Sequence, residues 1–326
     1  MNLLYPMKFT PVFKDKVWGG QKIRTELGFD FSPLPNCGEA WVLSGVAGSQ
    51  TVVSNGFLQG NELNDLVEIY MDDLVGEKAF EQFPDKFPIL VKFIDSNDWL
   101  SIQVHPDDVL ATKRKIGNGK TEMWYILDAD KDAELISGFN KTVNQKIYLD
   151  HLDQKRLKEI LNVEAVQRGD VFYIPAGRIH ALGPGVLLVE IQQTSDTTYR
   201  IYDWDRVDRE GKSRDLHTDL ALEAIDFSVQ GSYSTSYAKL KNQSVNLVEC
   251  PAFTTNLMEL DHGIEKQLEY IDSFIIYLCT EGECSIQYLQ GMEIIKKGEV
   301  ILIPATMDHL FLVPKPKSTL LEIFLI

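Results

Sequence analysis

Four side chains, far apart in the chain, could together hold a metal ion. Gln103 and His105 lie in "LSIQVHPDD" (100–108), Glu122 in "KTEMWYIL" (120–127) and His180 in "PAGRIHAL" (175–182). Two imidazoles, a carboxylate and an amide oxygen make a borderline-hard donor set suited to Zn²⁺. Three or four protein ligands with one position left for water or a substrate oxygen is the catalytic pattern rather than the closed structural one. Each residue alone says little. His105 by itself reads as a hydrogen-bonded core imidazole, and Glu122 as a partner of Lys120 or an arginine. The combination carries the ligand reading.

Strands must position these residues. Side chains alternate faces along a strand, so Leu100, Ile102 and Val104 point one way and Ser101, Gln103 and His105 the other. Pro106 then ends the ladder, having no N–H to donate. An internal echo extends the pattern. "RGDVFYIPAGRIH" (168–180) and "KGEVILIPATMDH" (297–309) match at Gly169/Gly298, Val171/Val300, Ile174-Pro175-Ala176/Ile303-Pro304-Ala305 and His180/His309, always 129 residues apart. A Gly-acid turn opens each strand, Pro closes it, and the chain re-enters with His. Two copies imply a mainly β protein of two jelly-roll barrels, the class that includes the cupins, with a few short helices. The expected helices are 62–83 and 148–162, covering the first barrel. The division expected is 1–235 for the lobe with the metal site and 236–326 for a second lobe, the junction lying in the polar, Ser-rich stretch 228–248. The second lobe offers His309, with Asp272 or Ser273 near the Glu122 position, but no His in "FTTNLMEL". Its ligand set is incomplete and it reads as scaffold, with His309 and His262 structural or exposed.

The chain has 326 residues and a net charge of −16. That argues against nucleic acid or an anionic membrane as partner, since both demand a basic face. A small anion held by a local cluster of Lys and Arg is still allowed. Four cysteines without a CxxC pair fit a reducing cytoplasm. Neither a signal peptide nor a membrane span is expected.

"LSIQVHPDD", "GKTEMWYIL", "IPAGRIHAL" and "EIQQTSDTTYRIYDWDR" occur in this order, with "VWGG" and "CGEAW" nearer the start. Together they closely resemble the type I mannose-6-phosphate isomerases, zinc-dependent bicupin enzymes, in their short bacterial form. The resemblance implies one Zn²⁺ on Gln103, His105, Glu122 and His180. It also implies an active-site Arg200 with Asp196 as neighbour, and substrate-facing Ser101, Lys92 and Lys120. Where many relatives carry Lys after the HPD, this chain has Asp108. The implied reaction interconverts mannose 6-phosphate and fructose 6-phosphate through an enediolate. Zinc would act as Lewis acid, and Arg200 as fixed positive charge. The proton-transfer base stays open between a metal-bound hydroxide, Lys120 in its neutral form and Asp196. Candidate phosphate anchors are Ser101, Lys92, Lys120, Arg178 and Arg206. Trp18, Trp41 and Trp124 could floor a sugar cleft, and 203–217 reads as a rim loop that includes His217. The other readings are a non-catalytic sugar-phosphate-binding or regulatory cupin, which would lack the charge-stabilising Arg200, and an iron-dependent cupin oxygenase, which would favour more His. A monomer or a homodimer is expected.

Overall fold

The structure is a computed structural model that describes residues 4–207 and 211–325. Its first lobe is two facing antiparallel sheets. One has six strands in the order Val171–Ile174, Glu122–Ala129, Val186–Gln193, Ile89–Ser96, Glu39–Leu43 and Val12–Lys14. The other has five, in the order Tyr199–Tyr202, Ile102–Val104, His180–Leu182, Glu134–Phe139 and Leu161–Ala165. The central strands Ile89–Ser96 and Val186–Gln193 are buried along their whole length. One face of each carries the polar residues Lys92, Glu190 and Gln192; the other carries Val91, Phe93, Val189 and Ile191. That second face packs against Phe274, Ile276, Leu302 and Ile323 of the C-terminal region in one large apolar core. The outer face of the five-stranded sheet is covered by the helices Gln145–Asp153 and Thr218–Ala224, through Tyr148 and Ala221. Apolar material therefore lies behind both sheets, while the space between them holds a polar centre beside Trp124, Phe172 and Leu182.

The C-terminal sheet runs Val245–Cys250, Phe253–Leu260, His309–Phe324, Ile275–Tyr288, Val300–Ile303, and then Met7–Thr10 and Val52–Val53 from the start of the chain. The strands Ile275–Tyr288 and His309–Phe324 are long and shift register at Cys279/Glu281 and Gly282/Cys284. Such bulges bend a strand, so the pair wraps around an interior of Met258, Tyr277, Ile286, Leu310 and Leu312. The echoed motif is structural: Gly169 and Gly298 both take φ of 90°, opening the strands Val171–Ile174 and Val300–Ile303. The mainly β, double jelly-roll expectation is met.

Two helical expectations need correcting. The stretch 62–83 is helical over Leu63–Val75, broken within by a kink at Met71 (φ 49°, ψ −131°), and again over Glu77–Gln82. Gly76 separates them at φ 90°, where a Cβ would come within 2.6 Å of the Asp272 carbonyl oxygen. The stretch 148–162 holds a helix ending at Asp153, a single 3₁₀ turn Leu157–Glu159, and a strand from Leu161. Lys155, at φ 55°, turns the chain left-handed after the helix, and Leu161 joins the sheet opposite Phe139.

Candidate functional site

Strand register assembles the centre. In the five-stranded sheet Gln103 is paired with Arg200 on one side and His180 on the other, so the three share one row and one face. In the facing sheet Glu122 is paired with Gln192 and Ile174. Glu190 is paired there with Lys92 and Trp124. His105 follows its strand immediately and lies with its ring centroid 4.8 Å from that of His180.

The imidazole tautomers follow from their backbone partners. His105 Nδ1 is 3.0 Å from the Thr197 carbonyl oxygen and His180 Nδ1 is 2.9 Å from that of Arg178. A carbonyl only accepts, so each Nδ1 carries the hydrogen and each Nε2 presents a lone pair inward. Those lone pairs face Glu122. His180 Nε2 is 3.2 Å from Oε1, and His105 Nε2 is 3.5 Å from Oε2. The Gln103 amide Nε2 lies 3.1 Å from His180 Nε2. Glu122, His105 and His180 are all buried, and neither Glu122 oxygen has a donor in hydrogen-bonding geometry. Lys120 Nζ does lie 3.1 Å from Oε2 and 3.2 Å from His105 Nε2. The Lys120 ammonium offsets part of the repulsion among these inward-facing electron-pair donors, and a metal cation seated among them would offset more. His105, Glu122 and His180 can offer ligand atoms all within 4.8 Å of one another, so the group could hold a metal ion. The protonation equilibria carry the same strain. Burial pushes the Glu122 carboxyl up to about 7, Glu190 adding to the rise. Burial lowers His180 to about 4 and takes His105 well below the usual imidazole value, with the Lys120 charge acting in the same direction on both.

A cavity of about 290 Å³ opens onto this centre. Gln103, His180, Lys120, Lys92, Ser101, Trp18, Asp196 and Arg200 all line it, so sequence-derived candidates meet in one place. His105 and Glu122 lie behind that lining. Sequence reasoning missed Glu190, Glu39, Lys16, Thr198 and Arg214, which line it too. Glu190 had a visible signal: it is the lone acid of "VLLVEIQQ", in phase with Gln192, on an otherwise apolar strand. Its carboxylate takes Lys92 Nζ at 3.1 Å and the Trp124 indole N–H at 3.0 Å. Burial opposes its ionisation, yet Lys92 and Lys120 hold it below the usual carboxylate value. Glu39 behaves likewise: against burial, Lys92 and Lys16 bring it down to about 2. Arg214 belongs to the predicted rim loop, of which residues 208–210 lie outside the described residues. It makes a two-pronged pair with buried Asp203, at 2.7 and 2.5 Å. Among the described residues the lining carries five cationic and three acidic side chains, a locally positive pocket in an acidic chain.

The other candidates are engaged elsewhere. Arg178 donates to the Tyr173 carbonyl oxygen and stacks on Tyr233, and Arg206 holds Asp98 and the Trp99 carbonyl oxygen. Trp41 lies beneath Lys14 and Lys92 instead of flooring the cavity. His217 accepts from the Arg200 backbone N–H. His262 and His309 are exposed. In the second lobe the register position of Glu122 is filled by Ile275, paired with Ile303 as Glu122 is with Ile174, and not by Asp272 or Ser273. Glu322 takes the position of Glu190 and Tyr277 that of Trp124. There the carboxylate is closed off by Tyr277, Lys266, Ser244 and Asn256.

A family model described as the catalytic domain of type I phosphomannose isomerases matches residues 7–143. Mannose-6-phosphate isomerase ManA of Bacillus subtilis (strain 168) is 36% identical over 303 residues, covering 92% of this chain and 93% of that protein. A mannose-6-phosphate isomerase of Streptococcus mutans is 32% identical over 299 residues, covering 90% of each. The crystal structure of the mannose 6-phosphate isomerase from Bacillus subtilis superposes with a TM-score of 0.87 at 32% identity, covering 98% of this chain and 99% of that one.

Proposed function

The chain belongs to the type I phosphomannose isomerase family, and on that premise we propose that it interconverts mannose 6-phosphate and fructose 6-phosphate with one zinc ion. The observation that carries the metal is the cluster of the buried Glu122 carboxylate and two imidazoles whose lone pairs face it, their ligand atoms all within 4.8 Å of one another. The donor set fits a borderline divalent ion, held by His105, Glu122 and His180, with the Gln103 amide turned to offer its oxygen. When bound, the ion supplies Lewis acidity toward the sugar's carbonyl and hydroxyl oxygens.

The chain's own residues do the rest. The reaction moves a hydrogen between C1 and C2 of the open-chain sugar, and negative charge develops on the two oxygens. Arg200 fixes positive charge for it: its Nη1 is held by the Asp215 carbonyl oxygen at 2.8 Å, leaving other donors unused. Lys120 is the residue we assign to proton transfer, since it alone of the cavity's lysines reaches the His105–Glu122 centre. Asp196 and Glu190 line the same space, and Lys92 keeps Glu190 ionised and in place. Ser101 and Trp18 would shape the sugar subsite. The phosphate would lie at the mouth, where Lys16 and Arg214 add positive charge beside Arg200, and its binding energy would orient the reacting carbons. A cationic side chain, Lys120, reaching the buried ligand cluster favours a catalytic over a purely binding role. We further propose that residues 1–235 form the lobe that carries the chemistry and that 236–326 support it. None of the described helices is long and apolar enough to cross a membrane, and the four cysteines are free, which fits the cytoplasm.

The test is a coupled assay of mannose 6-phosphate turnover, run beside metal analysis of protein purified without added metal. About one zinc per chain is expected, with activity lost to a chelator and restored by zinc. His180→Ala should abolish nearly all turnover. Full turnover without bound metal, or in His180→Ala, would overturn the assignment.

A further inference from the structure

The segment that delivers Lys120 and Glu122 to the centre is not itself part of a sheet until Glu122. Three consecutive backbone N–H groups in it are nevertheless tied. Gly119 N donates to Asp108 Oδ1 at 2.8 Å, Lys120 N to the Pro106 carbonyl oxygen at 3.0 Å, and Thr121 N to Gln193 Oε1 at 2.9 Å. Gln193 closes the circuit. Its Nε2 donates to Asp108 Oδ1 at 3.1 Å, and its backbone N–H donates to the Thr121 carbonyl oxygen at 3.1 Å. The Thr121 hydroxyl in turn accepts from Ala176 N, in the turn that leads to His180, at 3.3 Å. Gly119 packs so closely on the start of the Asp108–Arg114 helix that a Cβ there would be 2.6 Å from Asp108 N. Neither Gln193 nor Asp108 lines the cavity; both face a second cleft on the far side of this segment, with Thr121, Pro175 and Ala176.

We infer that Gln193, seated by Asp108, is a positioning residue that fixes Lys120 and Glu122 in working geometry. The inference rests on the roles assigned above to those two residues. The Gln193 amide is buried and used at both ends, and its orientation is dictated: Nε2 must face the Asp108 carboxylate and Oε1 the Thr121 N–H. A glutamate at this place could still accept from Thr121 N, but would set a carboxylate against Asp108. Pairing it with Asp108→Asn would turn that repulsion back into a hydrogen bond, the Asn amide donating to the new carboxylate while its oxygen still accepts from Gly119 N.

The experiment compares wild type, Gln193→Glu and the double variant Asp108→Asn/Gln193→Glu by steady-state kinetics, zinc content, thermal unfolding and hydrogen exchange of a peptide spanning 118–123. Gln193→Glu should lower kcat about tenfold or more with KM changed less, because a displaced catalytic group costs rate steeply. Exchange of the 118–123 peptide should speed up in that variant, and the double variant should return both kcat and protection toward wild type. Unchanged kcat and protection in Gln193→Glu would overturn the inference, as would losses that the double variant fails to reverse. The exchange readout does not depend on turnover. A wild-type protein without isomerase activity would therefore count against the proposed reaction, while protection still reports on the clamp.

Discussion

At the scale of single residues, charge placement decides what the cavity can do. Arg200 lies in the same strand row as two of the proposed ligands, with its Nε buried and lacking a partner. Burial lowers its affinity for its proton, and Arg214 nearby adds to this, so the guanidinium gains most when an anion arrives. Arg200→Ala should cut kcat by about 10²-fold while zinc content stays at the wild-type level, as measured on the same preparation. Arg200→Lys should recover little of this, since a lysine cannot reproduce the planar fork. Glu39 gives a stability prediction. Its carboxyl, lowered from its usual value to about 2 by Lys92 and Lys16 against burial, binds its proton more weakly folded than unfolded. Its contribution is thus present above about pH 4.5 and lost as pH falls toward about 2, and it is on the order of a few kcal/mol. Urea unfolding from pH 5 to pH 2.5 should show a shallower acid-side loss in Glu39→Gln than in wild type.

At the scale of elements, the helix Leu63–Val75 shows how one lobe is fastened to the other. Its last carbonyls, on Asp73, Leu74 and Val75, accept from Thr306, Ala305 and Phe274 N–H groups of the C-terminal lobe. The Asp272 carboxylate then caps the next helix, accepting from Glu77 N at 2.7 Å and Lys78 N at 3.2 Å. Asp272→Ala should therefore cost about 0.5–2 kcal/mol in denaturant unfolding and leave kcat unchanged. None of these partners is visible locally, which is why the stretch 62–83 reads as one helix from its apolar spacing. Gly76 was the available warning. The overlong reading of 148–162 has a similar origin: Ile160 and Leu161 keep helical phase with Leu157, but Leu161 belongs to a strand. The site residues were more legible, because period-two alternation alone places Gln103 and His105 on one face, and the repeated Gly-to-His motif marks His180. Glu190 obeys the same alternation and was overlooked because an ion pair inside an apolar strand is a tertiary fact. Arg214 carried no periodic signal at all, being placed by Asp203 across an irregular loop.

At the scale of the whole molecule, the two lobes are unequal copies that share a wall. The first keeps its interior polar and open; the second has Ile275 where the first has Glu122, and a carboxylate saturated by four neighbours. The lobes are also not separable by a single cut, because Met7–Thr10 pairs with Val300–Ile303. A fragment of residues 236–326 produced alone would expose that strand edge, with Leu302 and Ile301 unpaired on one side, and unpaired edges invite aggregation. It should be found in the insoluble fraction, and co-production with residues 1–235 should bring it into solution. A soluble, cooperatively unfolding fragment would show that the edge is dispensable.

The pairing of Met7–Thr10 with Val300–Ile303 also sets a clock on biosynthesis. Met7–Thr10 leaves the ribosome well before its partner Val300–Ile303, and at ~5–20 residues per second the interval between them is roughly 15–60 s. Throughout it, Phe9 and Thr10 can already pair with Val53 and Val52, while Met7 and Lys8 keep one ladder edge open until Leu302 and Ile301 arrive to close it.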